Sequence, residues 1–144
     1  MTQRQWTFVG GLVAATFGAG WFTGQSQAQP AQAPLVYELR TYTAVDGRLP
    51  ALHKRFREHT MKLFEKHGMK NVIYLTPIGK ENGEDNKLYY LLAYENKDAA
   101  EKSWAAFRSD PEWAKARMES EKDGKIVEKA ESLFLRPTDY SPMK

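Results

Sequence analysis

The chain carries three histidines, His53, His59 and His67, and all three fall within one stretch, Asp46 to Gly68, reading DGRLPALHKRFREHTMKLFEKHG. Imidazoles are the residues whose ordinary pKa, near ~6.5, lets them carry protons or hold metals at neutral pH. Their spacing decides which. At 3.6 residues per turn, His53 and His59 point about 120° apart around a helix axis, and His59 and His67 lie roughly 12 Å apart along it. Neither pair can chelate one ion, so no metal site is expected. A haem would need an axial histidine, with His59 first and His67 second, but nothing in the spacing calls for one and no cofactor is expected. His59 is left with two readings: a satisfied ring at the helix–sheet boundary, or a proton carrier facing a pocket.

The other side chains able to meet a ligand are Tyr37, Arg40, Tyr74, Tyr90 and Trp104. Arginine can hold a carboxylate or phenolate, while tyrosine and tryptophan can stack on an aromatic ring. Each has a structural reading too. Arg40 can pair with Glu38, Trp104 can pack with Phe107 as core, and the tyrosines can be ordinary strand residues. The chain has no cysteine, which removes disulfides, thiol nucleophiles and thiolate metal sites together. It also lacks a glycine-rich phosphate loop and a G-x-S-x-G elbow. The formal charge is +3, with 21 basic and 18 acidic residues interspersed, which argues against nucleic acid as a partner.

The elements that must position these groups follow in order. With 144 residues there is room for one domain and a tail. Residues 1–28 have the form of an export leader, with Arg4, an apolar run from Trp6 to Phe22, and the small-x-small sequence Ser26-Gln27-Ala28. Cleavage is expected after Ala28, which would place the domain in the periplasm or outside a bacterium. The alternative is an uncleaved anchor through residues 6–22, the one route by which a membrane becomes a partner. A linker at 29–34 leads into the domain at 35–141, and residues 142–144 are a tail.

Leu35 to Thr43 reads as a first strand, with Tyr37, Leu39 and Thr41 on one side and Glu38, Arg40 and Tyr42 on the other. Asp46 is the expected N-cap of the histidine-bearing helix, Pro50 lies in its first turn, and Gly68 stops it. Met69 to Ile78 and Lys87 to Tyr94 read as antiparallel strands joined by a polar segment containing Asn82-Gly83. Asp98 and Glu101 have capping-box spacing and open a second helix. Asp110-Pro111 restarts it and carries it to Lys122. Glu128 to Arg136 is the fourth strand. The second and third strands are apolar on both faces, so something beyond the chain's own helices must cover one face. A second copy of the same sheet is the economical answer, and a homodimer is expected.

YELRTYT, RFREHTMKLFEKHGM, SWAAFRSDPEW and ESLFLRPTDYS, in that order, together resemble the NIPSNAP family over roughly Val36 to Ser141. The resemblance implies an α+β, ferredoxin-like β-α-β-β-α-β fold with an antiparallel sheet, assembled as a dimeric α+β barrel. Fold relatives include cofactor-free monooxygenases, haem-dependent enzymes, isomerases and stress-response proteins, and fold alone does not choose among them. The resulting expectation is an exported homodimer acting as a binding or stress-related envelope module. The alternative is a cofactor-free monooxygenase- or isomerase-like enzyme with a small-molecule pocket between helices and sheet. In either case Tyr37, Arg40, His59, Tyr74, Tyr90 and Trp104 are the candidate lining, and His59 is the candidate catalytic group.

Overall fold

The structure, a computed structural model, describes residues 35–143. The expected leader, its cleavage site after Ala28 and the linker lie outside the described residues. Among the described residues no helix is long and apolar enough to cross a membrane.

The elements run β1 (Val36–Ala44), α1 (Leu49–Arg55), a π-helical turn (Phe56–Thr60), α2 (Met61–Lys66), β2 (Lys70–Leu75), β3 (Lys87–Tyr94), α3 (Lys97–Ser109), α4 (Pro111–Ser120) and β4 (Val127–Leu135). The four strands form one antiparallel sheet in the order β2-β3-β1-β4. Pro77 follows the edge strand β2, where a missing N–H breaks no ladder. This is the β-α-β-β-α-β arrangement of an α+β, ferredoxin-like fold.

Alternation along the strands sends two different sets of side chains to the two faces. Leu88, Tyr90, Leu92 and Tyr94 of β3 face the helices and are all but inaccessible. They pack with Leu52, Phe56, Phe64, Trp104 and Phe107 in a single core. Tyr90 is its hub, with ring centroids 5.2–5.9 Å from those of Tyr42, Phe56, Phe64 and Tyr74. The register places Glu38 opposite Leu92 and Arg40 opposite Tyr90, so the polar half of β1 also faces the helices. The apolar half faces away. There Ile73, Leu91, Leu39 and Leu133 align as one row across all four strands. Ile73, Leu75, Leu133 and Leu135 on that face remain 46, 50, 56 and 41 % exposed.

Three local features differ from the sequence expectations. Asp46 does not cap α1. A turn closed by Arg48 N–H donating to Val45 O, with Gly47 at φ +71°, makes Arg48 the N-cap, with no side-chain bond. Asn96 rather than Asp98 caps α3, its Oδ1 accepting from Ala99 N–H at 2.8 Å, and Asp98 sits in the first turn, where its charge suits the helix dipole. The histidine-bearing helix contains a π-helical turn. Leu52, Phe56, Thr60 and Phe64 recur every fourth residue, which on an ideal α-helix drifts about 40° per step. The wider turn lets Phe56, Thr60 and Phe64 stay inward together, all three being buried.

Asp110 and Gly68 perform as expected. Asp110 accepts from Glu112 N–H at 2.7 Å as the N-cap of α4, with Pro111 in the first turn. Gly68 ends the first helical stretch at φ +77°, where an added Cβ would find only Ser103 Oγ at 3.6 Å. Its cost would therefore be conformational, not steric. Gly68→Ala is expected to lower stability by about 1–2 kcal/mol, read as a reduced urea midpoint at unchanged slope.

Candidate functional site

A fully buried carboxylate organises the helix side of β1. Glu38 is 1 % exposed, and an ionised carboxylate in such a place is tolerated only when hydrogen-bonded and paired. Its Oε1 accepts from Arg40 Nη1 at 3.0 Å and from Ser132 Oγ at 2.6 Å. Its Oε2 accepts from Tyr94 OH at 2.8 Å and Trp104 Nε1 at 2.6 Å. The four donors come from β1, β4, β3 and α3, so one carboxylate ties the two central strands, an edge strand and a helix together. Burial pushes the Glu38 carboxyl up, but the bonds from Ser132, Trp104 and Tyr94, with the Arg40 charge, hold it below its ordinary value. Burial, followed by the charge of Glu38, pushes the Tyr94 phenol well up, so it stays a donor. Trp104→Phe keeps a ring but removes one donor to the carboxylate, and is expected to destabilise by about 2 kcal/mol in chemical denaturation.

Arg40 is fixed by Glu38 at one end and by aromatic faces around it. Its guanidinium carbon lies 4.6 Å from the Trp104 ring centroid and 5.5 Å from that of Tyr42. Beyond it opens a cleft of about 340 Å³ between α3, α4 and the β1–β4 half of the sheet. Arg55, Arg108, Arg117 and Lys125 join Arg40 along its walls, against Glu121 and Glu128. Arg55 is anchored by Glu121 at 3.1 Å and lies 5.2 Å from the Trp113 ring centroid. Glu121 also takes Arg117 Nε at 3.2 Å, and despite partial burial these two arginines hold its carboxyl below the usual range. The cleft is basic, walled by two indoles, and stiffened by ion pairs.

The expected site residues are only partly brought together. Arg40 and Trp104 line this cleft, and Tyr90 lies behind Arg40, its register partner. Tyr74 stacks on the far side of Tyr90 and donates its hydroxyl to Asn71 Oδ1. It lines a different depression, with His53 and Met61. Tyr37 projects from the opposite face of the sheet, with Ala93 and Leu135 beside it. His59 sits on the outer side of the π-helical turn, 41 % exposed at its side chain, and borders a third depression with Arg48 and Glu58. Arg40 and His59 therefore share no cavity, which removes the combined His–Arg pocket. His67 is outside the cleft as well. Its Nε2 is 2.6 Å from Asp110 Oδ2, and the same oxygen takes Lys66 Nζ at 2.8 Å. The bonds from Lys66 and His67 and the α4 backbone hold the Asp110 carboxyl far below its ordinary value. Among the described residues no group of three or more potential ligands is placed to hold a metal ion.

Sequence reasoning missed Arg55, Arg117, Glu121, Tyr94 and Ser132. Glu38 and Arg40 did carry a signal, two residues apart on one face of a strand. Arg55 carried none, since its partner is 66 residues away.

A model of the NIPSNAP family matches residues 37–142. Among solved structures, the fold is similar to that of a NIPSNAP family protein with unknown function from Agrobacterium tumefaciens, with TM-score 0.65 and 25 % identity over 78 % of this chain and 96 % of that one. An uncharacterized NIPSNAP-like domain protein from Burkholderia xenovorans gives TM-score 0.65 at 16 % identity, covering 76 and 90 % of the two chains. SnoaB, a cofactor-independent oxygenase from Streptomyces nogalater, gives TM-score 0.50 at 14 % identity, covering 76 and 99 %. At that identity the last likeness concerns the fold alone. No curated protein matches the chain. With the matched region taking in both the Glu38–Arg40 strand and the α3–α4 break, the chain belongs to the NIPSNAP family.

Proposed function

We propose that the chain is an exported homodimeric binding module of the cell envelope, whose basic cleft holds a small molecule without transforming it. The observation that carries this reading is Glu38. All of its acceptor capacity toward the site is occupied by Arg40, Ser132, Tyr94 and Trp104. A carboxylate so saturated and held ionised is a poor proton carrier and a good rigid anchor for a ligand-binding arginine. The histidine–carboxylate pairs among the described residues, His67 with Asp110 at 2.6 Å and His59 with Glu58 at 4.0 Å, both lie outside the cleft lining. The catalytic alternative, an oxygenase- or isomerase-like reaction, has the likeness of fold as its support.

The homodimer is supported by the outward aliphatic row Ile73–Leu91–Leu39–Leu133, half-buried at its centre and exposed at Ile73 and Leu133. A sheet already covered by helices on one side gains by covering the other. Export is supported by the leader-like residues 1–28. Cell fractionation followed by sedimentation velocity over a range of concentrations tests both. The reading expects a periplasmic or secreted species at twice the chain mass. A cytoplasmic location would refute the export, and a monomer at every concentration would refute the assembly.

A further inference from the structure

Among the described residues, five buried side-chain polar atoms have no hydrogen-bond partner: Nε of Arg40, Arg48 and Arg55, Oδ1 of Asn86, and the hydroxyl of Tyr90. Arg40 and Arg55 line the α3–α4 cleft, and Tyr90 lies directly behind Arg40. The two arginine groups are donors at the cleft, while the Tyr90 hydroxyl has Tyr42 and Arg40 as its polar neighbours. Arg55 is 4 % exposed, so water has little access to its orphaned N–H. Burial and the neighbouring Tyr42 push the Tyr90 phenol well above its ordinary value against the opposing pull of Arg40, so its proton stays on. Leaving a buried donor unpaired is costly, and an acceptor entering the cleft would relieve that cost.

The walls say what kind of acceptor. Five cationic side chains, those of Arg40, Arg55, Arg108, Arg117 and Lys125, face the carboxylates of Glu121 and Glu128, with Glu38 behind Arg40 as a third, which leaves positive charge in excess. Arg108 and Lys125 make no ion pair with another described residue. The ligand should therefore be an anion. Arg40 lies over Trp104 and Arg55 over Trp113, at 4.6 and 5.2 Å, so each guanidinium stands beside an indole face. Planar guanidinium edges match a planar carboxylate better than a point charge, and indole faces match a ring. A cleft of about 340 Å³ has room for one or two fused rings and little more.

We propose that the cleft binds a small planar aromatic carboxylate, with its carboxylate on the free guanidinium edges of Arg40 and Arg55 and its ring against Trp104 and Trp113. This deepens the binding-module reading by naming the ligand class, and it does not depend on the dimer. Arginine was placed here by Glu38 and Glu121, which hold the guanidiniums without using all five of each one's N–H groups.

The test is a titration of the native protein with 2-naphthoate, followed through the arginine Nε–H and indole N–H resonances in proton–nitrogen spectra. 2-Naphthamide and cyclohexanecarboxylate serve as matched probes lacking the charge and the ring. The Nε–H signals of Arg40 and Arg55, assigned from Arg40→Gln and Arg55→Gln, should shift saturably with 2-naphthoate. Both comparison probes should bind at least about tenfold more weakly, since each lacks one of the two recognised features. Arg40→Gln should weaken 2-naphthoate by about tenfold or more, and Arg108→Gln, on an exposed position that leaves the buried network intact, by about threefold. Equal affinity for the acid and the amide overturns the carboxylate, and equal affinity for the two acids overturns the ring. Silence of both Nε–H signals, or wild-type affinity in both variants, overturns the site. Whether the chain binds any small molecule is read separately, from the mass of protein taken from its own cells.

Discussion

Replacing Glu38 by Ala is expected to lower the stability of the fold by about 3–5 kcal/mol, a large share of what a domain of this size possesses. The loss comes from what the carboxylate leaves behind. Arg40 would be a partly buried charge without its counter-ion, and Trp104 Nε1, Tyr94 OH and Ser132 Oγ would each lose their acceptor. Glu38→Gln preserves the shape but sets a neutral group with two donors of its own among those donors, and should fall about halfway between. The same carboxylate gives a pH signature. Because Glu38, Glu121 and Asp110 are all held below their ordinary values, the unfolded chain takes up protons on them first as acid is added. Their contribution is complete above the usual carboxylate range, about pH 4–5, and is lost as the pH falls through the folded values. On this ground urea midpoints should hold between neutrality and that range, drop as the pH is taken below it, and drop less steeply in Glu38→Gln. A Glu38→Gln protein as stable and as acid-sensitive as the wild type would contradict the network.

Leu39→Asp is expected to weaken self-association by about 100-fold or more while leaving the monomer folded. Leu39 sits at the centre of the outward row, flanked by Leu91 and Leu133, and belongs to the face away from the helices. The core of Tyr90, Leu52, Phe64 and Trp104 lies on the other side of the sheet and is not disturbed. A carboxylate introduced there is solvated in the monomer and must be stripped of water in a face-to-face pair, with no basic partner in the aliphatic row. Sedimentation velocity would read the change, and circular dichroism would verify the fold. An unaltered dimer would move the interface elsewhere on the molecule.

Much of the architecture was legible because strand alternation and glycine or proline punctuation are local signals. KLYYLLAY reads as a strand apolar on both faces, Asp110-Pro111 as a helix restart, and Gly68 as a helix stop. The α1 start and the α3 cap were misplaced by two residues each, since Asp46 and Asp98 compete with neighbours whose geometry depends on a turn. The candidate site was less legible. Arg40 and Trp104 were singled out, but their connection runs through Glu38, whose donors are contributed by residues up to 94 positions away. No local pattern encodes such a pairing. His59 attracted notice for its chemistry, yet the π-helical turn sets it on the outer surface, away from Arg40.

The most direct test of the central claim is native mass spectrometry of the protein recovered from its own cells under conditions that keep small ligands bound. The account predicts a dimer of chains beginning at Gln29 that carries an additional small mass, retained in Leu39→Asp monomers and lost in Arg40→Gln. A bare monomer, with neither a second chain nor a bound molecule, would contradict it.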